Sequence, residues 1–434
     1  VLILIATVLG ILLISGFSWW EVSDYQVYED RSQKSMDQFI DLEDDFQKLF
    51  QLAEDGDTIQ LPAGHFKFTK ALILDGKSRV TVKGAGIGET VLTFRGQTEG
   101  AEGIRIANGS NIVLEDFTIQ DAIGDNIKAI YIDTLTFRRI KTEWTDIPNP
   151  ELGAYGIYPV ICKNILIEEC EALRASDSGI YVGQSEKIVI RNNKTLENVC
   201  GINVENSSEV DIYGNEVFHN TSGMTALDIP GLTRYMYGVK IHDNKIYSNN
   251  LYNFAPAGNV AASTLPGTGI TIWAGKGIEV YDNEILDNGF PICMISFLAS
   301  YKLSKDKPYV PIAKSEQARM EVSIEEETSL REDAINEKFT TDKDYDPHNI
   351  DVFIGENTWS FGPLRKKMQS TDGTLFALAL GNKDAHIWYD GVENPNGKTL
   401  CIQASDPLIV ANLDIMNDSK NVGVDPNSYD CSAI

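Results

Sequence analysis

Seven residues occupy the third position of a recurring four-residue pattern. They are Arg105 in GIRI, Lys128 in NIKA, Tyr158 in GIYP, Tyr181 in GIYV, Asn203 in GINV, Asp228 in ALDI and Thr271 in GITI. If equivalent positions align in space, they form a column that runs from basic through aromatic to acidic. Trp273 follows two residues past Thr271 on the same face, and Asp121, Asp125, Arg174 and Asp177 fall on the adjoining turns. Tyrosine and tryptophan faces stack on sugar rings, and Arg or Lys neutralises a sugar carboxylate. Arg105, Tyr158, Arg174, Asn203 and Trp273 are therefore the candidates for holding a substrate.

The same set contains candidates for proton transfer. Elimination or C5 epimerisation at a uronate needs a cation on the carboxylate, a base for the C5 proton and an acid for the leaving oxygen. Lys128, Asp177, Tyr181 and Asp228 are the catalytic candidates. Hydrolysis would instead need two carboxylates at a defined separation, and Asp125, Asp177 and Asp228 could supply them. None of these residues sits in a diagnostic motif, and each aspartate also suits a turn, where its side chain bonds the local backbone. Binding without turnover stays open beside catalysis.

The elements that must position these residues are short strands. Gly103 to Asn126, Gly156 to Gly179 and Gly179 to Gly201 are steps of 23, 23 and 22 residues. A second series, NILIEEC, KIVIRNN, EVDIYGN, GVKIHDN and GIEVYDN, keeps pace with the first. Both alternate apolar and polar, as half-buried strands do. A fixed period near 22 with several strands per unit predicts a solenoid: an all-β, right-handed, single-stranded parallel β-helix with three strands per coil. Glycine at the strand entrance is expected to permit a tight corner. Asn193, Asn215, Asn244, Asn283 and Asn357 follow the second strand and are expected to bond between coils.

End coils expose unpaired edges and need caps. Phe39, Leu42, Phe46, Leu49, Phe50 and Ala53 follow helical spacing and predict an N-terminal capping helix within a 21–54 lead-in. The β-helix is expected over 55–303 and again over 348–361. A charged, partly helical insertion spans 304–347, and 362–434 reads as an irregular C-terminal cap. Loops at 141–155, 219–225 and 249–268 gather at one corner, where solenoids build binding faces. Residues 1–20 carry no charge and read either as a signal peptide or as a membrane anchor. Cys162, Cys170, Cys200 and Cys293 are expected to be buried thiols, with Cys401 and Cys431 the candidate disulfide pair.

The segments GAYGIYPVICKNILIEECEALRASDSGIYVGQSEKIVIRNN, GINVENSSEVDIYGNEVFHNTSGM and NNLYNFAPAGNVAASTLPGTGI resemble an uncharacterised family of secreted bacterial parallel β-helix repeat proteins. That resemblance covers roughly residues 50–300. It implies export and a β-helix, with no established activity. In architecture the chain is more distantly similar to pectate lyases, polygalacturonases and alginate epimerases. Asp346-Pro347-His348 matches a stretch of the epimerases in sequence but closes the charged insertion, so His348 is given no catalytic role.

With 63 acidic against 37 basic residues and a formal charge of −26, the chain repels phosphate backbones and anionic lipid heads. No nucleic-acid partner is expected, and membrane contact only through the N-terminal apolar segment. The expected partner is a polysaccharide or an envelope protein, met in the periplasm, outer envelope or extracellular space. No cofactor is otherwise expected, but a calcium site from clustered aspartates stays open without a loop of calcium-ligand spacing to support it, and no Cys/His spacing suggests zinc.

Overall fold

The computed structural model describes residues 38–257 and 259–295, then 350–355, 357–361, 375–380, 386–390, 400–404, 414–417 and 422–423. The apolar run at 1–20, the insertion at 304–347, His348 and the Cys401–Cys431 pairing lie outside what is described. Among the described residues no helix is long and apolar enough to cross a membrane.

The alternating segments form the expected parallel solenoid. One coil runs Ser178–Gly183, Glu186–Arg191 and Lys194–Leu196, and the next runs Cys200–Glu205, Ser208–Tyr213 and Glu216–Phe218. They pair in parallel, with Ile180 opposite Ile202, Ile188 opposite Val210 and Thr195 opposite Val217. Because strand side chains alternate, this register stacks Ile157, Ile180, Ile202, Met224, Ile270 and Ile292 into one buried interior row.

The corners are made differently from the sequence expectation. Gly179, Gly201, Gly223 and Gly269 at the strand entrance do not adopt positive φ. Their role is close approach: a Cβ on Gly201 would stand 2.6 Å from the carbonyl oxygen of Gly223 on the next coil. The turns themselves are single left-handed residues. Asn192 (φ 55°), Gly214 (66°), Asp243 (52°) and Asp282 (53°) precede the asparagine row, and Asn, Asp and Gly tolerate that region best.

The asparagines bond between coils as expected. The backbone N–H and Nδ2 of Asn193 both donate to Oδ1 of Asn215, at 2.9 and 3.0 Å. Asn215 repeats the pair on Asn244, Asn244 on Asn283, and Asn283 on Asn357. A second ladder, Asn198–Asn220–Asn249–Asn288, does the same at the corner before the first strand.

Helix α1 (Glu43–Leu52) closes the N-terminal end. Phe46 and Phe50 are its buried residues, and Phe46 packs on Phe66 and Phe68 at ring distances of 5.0 and 5.3 Å. Leu49 faces solvent and Phe39 is buried outside the helix. The Glu43 carboxylate accepts from the Thr69 and Lys70 N–H groups at 2.9 and 2.7 Å, which satisfies an otherwise open strand end. At the far end, Leu375–Leu380, His386–Asp390 and Leu400–Ala404 still pair in parallel. Coil stacking therefore runs past residue 361, where the sequence pattern fades.

One loop assignment changes. Residues 219–225 are not an insertion, because Ser222–Leu227 is the first strand of its coil. The extra residues of that coil lie at 228–236, between Leu227 and Tyr237 and at a different corner. The segments between Glu143 and Tyr155 and between Tyr247 and Thr268 keep the expected corner.

Asn215→Ala should cost about 3 kcal/mol of unfolding free energy, because it strands buried donors on Asn193 and acceptors on neighbouring coils. Asn215→Asp should fail similarly, since a carboxylate cannot donate. A denaturant titration showing less than about 1 kcal/mol would refute the ladder's role.

Candidate functional site

Backbone register builds most of the column. Arg105 pairs with Lys128 and Lys128 with Tyr158; Tyr181 pairs with Asn203, Asn203 with Thr225 and Thr225 with Thr271. Ile157 opposite Ile180 places Tyr158 beside Tyr181. Thr225, not Asp228, is the column residue of its coil. The ALDI match was three residues out of phase, because GMTA lacks the β-branched signature but keeps the 22-residue step from Gly201 to Gly223.

The N-terminal half of the column is open. Arg105 Nη1 and Lys128 Nζ share Oε1 of Glu102 at 3.2 and 3.8 Å, leaving two cations on one carboxylate. Lys128 Nζ lies 5.1 Å from the centre of the Tyr158 ring. Tyr155, Tyr158 and Tyr181 form a triangle with ring centroids 4.6, 4.7 and 4.9 Å apart. Asp125 begins the Lys128 strand; burial pushes its carboxyl up to about 7, with Lys128 opposing and Glu102 and Asp177 adding to the rise.

The middle of the column is roofed. The 250–267 loop folds back over the first strands, and a small core of Val199, Leu251, Phe254 and Ala261, with Leu152 against it, holds it there. The Tyr252 hydroxyl donates to the Pro148 carbonyl, tying this loop to the 144–154 loop. Beneath it Tyr181, Asn203 and Thr271 are buried. A cleft of about 50 Å³ remains between floor and roof. Its floor is Asp177, Tyr181, Asn203, Glu205, Thr225 and Trp273, and Asn259 and Ser263 belong to the roof. Burial pushes Asp177 up to about 6; hydrogen bonds from Ser178, Tyr155 and Asn259 pull it down, and the Glu205 charge raises it.

Several sequence candidates take other roles. Arg174 is not a free cation: it is buried, its Nε donates to Glu197 Oε2 at 2.6 Å, and its Nη1 donates to the Thr145 and Asp146 carbonyls at 3.2 and 3.3 Å. It clamps the base of the 144–154 loop. Asp121 accepts from Thr145 and Arg95 and serves the same loop. Asp228 is wholly buried, pairs with Lys276 at 3.0 Å and accepts from Asn206 and the Met236 N–H. Burial still leaves its carboxyl raised to about 6. Trp273 is buried but lines the cleft. Glu205 is a residue that alternation could have found, two positions past Asn203 on the same face. Glu102 and Tyr155 sit just outside the four-residue pattern, and Asn259 comes from a loop with no periodic signal. Among the described residues no three His, Cys, Asp or Glu side chains are grouped to hold a metal ion, and Cys162, Cys170, Cys200 and Cys293 are buried free thiols.

A parallel solenoid whose outward column is partly covered by straps from one corner defines a β-helix with a lateral groove. The chain belongs to the right-handed β-helix family, whose model, described as a right handed beta helix region, matches residues 71–289. Over 255 residues it is 25% identical to the pre-neck appendage protein of Bacillus phage B103, a match covering 51% of this chain and 29% of the phage protein. The chain thus spans under a third of that relative's length. Among solved structures, the mannuronan C-5 epimerase AlgE4 A-module of Azotobacter vinelandii aligns over 93% of this chain and 99% of its own, at 16% identity and TM-score 0.47. The catalytic unit of a GH87 α-1,3-glucanase from Streptomyces thermodiastaticus aligns over 93% and 72%, at 10% identity and TM-score 0.48.

Two outcomes follow from this geometry. Asp125, Asp177 and Asp228 bind protons more tightly folded than unfolded, where an aspartate titrates near ~4. Their stabilising contribution is full below that value and is lost as pH rises through about 6 to 7. Unfolding free energy should fall across that window, and Asp125→Asn should flatten its upper part; an unchanged slope would count against it. Arg174→Met should cost about 3 kcal/mol, because the Glu197 charge is left unpaired. It should also speed amide exchange at 144–154 while leaving 186–191 protected.

Proposed function

We propose that this chain is an exported β-helix protein that binds an acidic polysaccharide along its outward first-strand column. The observation that carries this is the Arg105–Lys128–Tyr158 group. Two cations share a single carboxylate, Glu102, and one of them lies over a half-buried tyrosine ring. A uronate carboxylate can complete that charge balance while its ring lies against Tyr158. The roofed middle, at about 50 Å³, is far below the ~300 Å³ of an ordinary ligand pocket. The strand of sugar therefore rests on the open half. The uncharged run at residues 1–20 supports the export part of this reading.

One observation favours a second reading, lyase or C5-epimerase chemistry. Asp125, raised to about 7 beside Lys128, is a carboxyl part-protonated at neutral pH, as a proton-transfer group should be. Lys128 would neutralise the uronate, and Asp125 or a tyrosine would handle the proton. Asp177 is the further acid candidate. Tyr181 is the less accessible tyrosine and Asp228 is committed to Lys276.

Calorimetric titration with oligogalacturonate and oligomannuronate tests both. Lys128→Ala with Tyr158→Ala should weaken binding at least tenfold, and rising salt should weaken it in the parent chain. Binding that ignores both substitutions would overturn the assignment of the face. Appearance of unsaturated-uronate absorbance, or C5 inversion by NMR, abolished by Asp125→Asn, would establish the enzyme reading; neither signal on any uronate polymer would dismiss it.

A further inference from the structure

The third strand of each coil carries a pattern that neither the groove nor the asparagine ladders use. Lys141, Glu171, Lys194, Glu216, Lys245 and Glu284 hold one position in six successive coils, each in register with the next. Their signs alternate without a break. Two positions on, past the buried Thr195, Val217, Ile246 and Ile285, stand Leu196, Phe218, Tyr247 and Leu286. All four are only half-buried. Phe218 and Tyr247 stack at 4.9 Å and 2°, and Lys194 lies 5.1 Å from the centre of the Phe218 ring. A continuous apolar strip beside a charged row marks an interaction surface, as scattered apolar residues do not.

The alternation decides what can cover that strip. Lys194 lies 3.6 Å from Glu216 and Lys245 4.0 Å from Glu284, yet these four side chains stay 42% to 64% exposed. A polyanion or polycation laid along the row would meet as many like charges as opposite ones. The partner has to alternate as well, at the ~4.8 Å pitch of stacked coils. A second copy of this chain does so. Turned about a two-fold axis that runs along the strands, between the Phe218 and Tyr247 rungs, the row reverses and falls on itself. Lys194 then faces the partner's Glu284, and Glu216 the partner's Lys245. The same axis sets Phe218 against the partner's Tyr247 and Leu196 against the partner's Leu286. Moved one rung toward the N-terminal end, it would put Leu286 against the partner's Glu143.

We propose that this third-strand face is the contact of a weak, antiparallel homodimer. Four rungs of short strand cover far less than the ~800 Å² per partner of a standard interface. The −26 charge of each copy also opposes approach, until salt near ~0.15 M screens it beyond ~8 Å. Association is therefore reversible and belongs to high concentration. The first-strand column lies on another side of the coil, so both copies keep their grooves open, and the two grooves run antiparallel. The contact is independent of what those grooves bind.

Sedimentation velocity on the full chain at ~0.15 M salt, from about 10 μM to about 1 mM, tests it. The average mass should rise toward twice that of the monomer, and a mass that stays monomeric throughout overturns the proposal. Lys194→Glu alone and Glu284→Lys alone should each weaken association at least tenfold, because each pair then holds two like-charged contacts. Mixing the two variants should restore it. Within one chain positions 194 and 284 stand three rungs, ~14 Å, apart, so that rescue is made only across the contact. Lys240→Glu, the same charge change on a second strand, should leave association within twofold. Equal loss there, or no recovery in the mixture, overturns the contact. Should a variant fail to fold, small-angle scattering on the unmodified chain decides. A side-by-side pair adds little to the monomer's longest dimension, whereas an end-to-end pair, which doubles it, overturns the proposal.

Discussion

Every coil must present the next one with the same backbone surface, at ~4.8 Å and in register on all three sides. Strand hydrogen bonds alone would allow coils to slip or splay at their corners. Here two further contacts remove that freedom. Gly156, Gly201, Gly223 and Gly269 let a carbonyl from the following coil come closer than any Cβ would allow. The asparagine ladders then take each corner N–H of one coil onto the side chain of the next. Steps within both ladders lengthen together, from 22 to 29 to 39 residues. Inserted residues are pushed outward at a corner while the rungs stay matched.

That constraint makes the site possible. Since the ladder at Asn249 and Asn288 fixes both ends of the coil that carries the long strap, the 250–267 loop has to leave and return at nearly one point. It can only fold back over the adjacent sheet face, and its apolar residues find Val199 and Leu152 there. Roofing the column changes its electrostatics without changing its sequence. Asp177 lies under the strap and is raised, while Arg105 and Lys128 lie beyond it, Arg105 40% and Lys128 15% exposed. A straight row of side chains thereby becomes two environments.

Legibility from sequence followed the same division. The coil period, the outward column and the first asparagine ladder were readable, because each depends on residue type recurring at a fixed step. The phase error at ALDI shows the limit: GMTA puts Met224 and Ala226 at the inward positions that most coils fill with Ile or Val, a signal too weak to outcompete a neighbouring apolar pair. The second ladder carried an equal signal, five residues behind the first throughout, but its members stand in less uniform company: NVC, NTS, NNL and NGF. Roles that depend on what covers a residue were not readable. Nothing local marks Arg174 as a loop clamp or Tyr181 as shielded, since the first follows from the 144–154 loop and the second from the 250–267 strap, and neither loop has a period.

Long-range charge limits how an acidic polysaccharide would engage. At −26 the protein repels a polyanion at distances where its field is unscreened, and at physiological salt that field fades over ~8 Å. Carboxylate recognition by Arg105 and Lys128, as proposed, would therefore be a short-range event that gains little from steering. Recognition on this face would therefore depend on contacts made within that distance and not on the field of the whole protein.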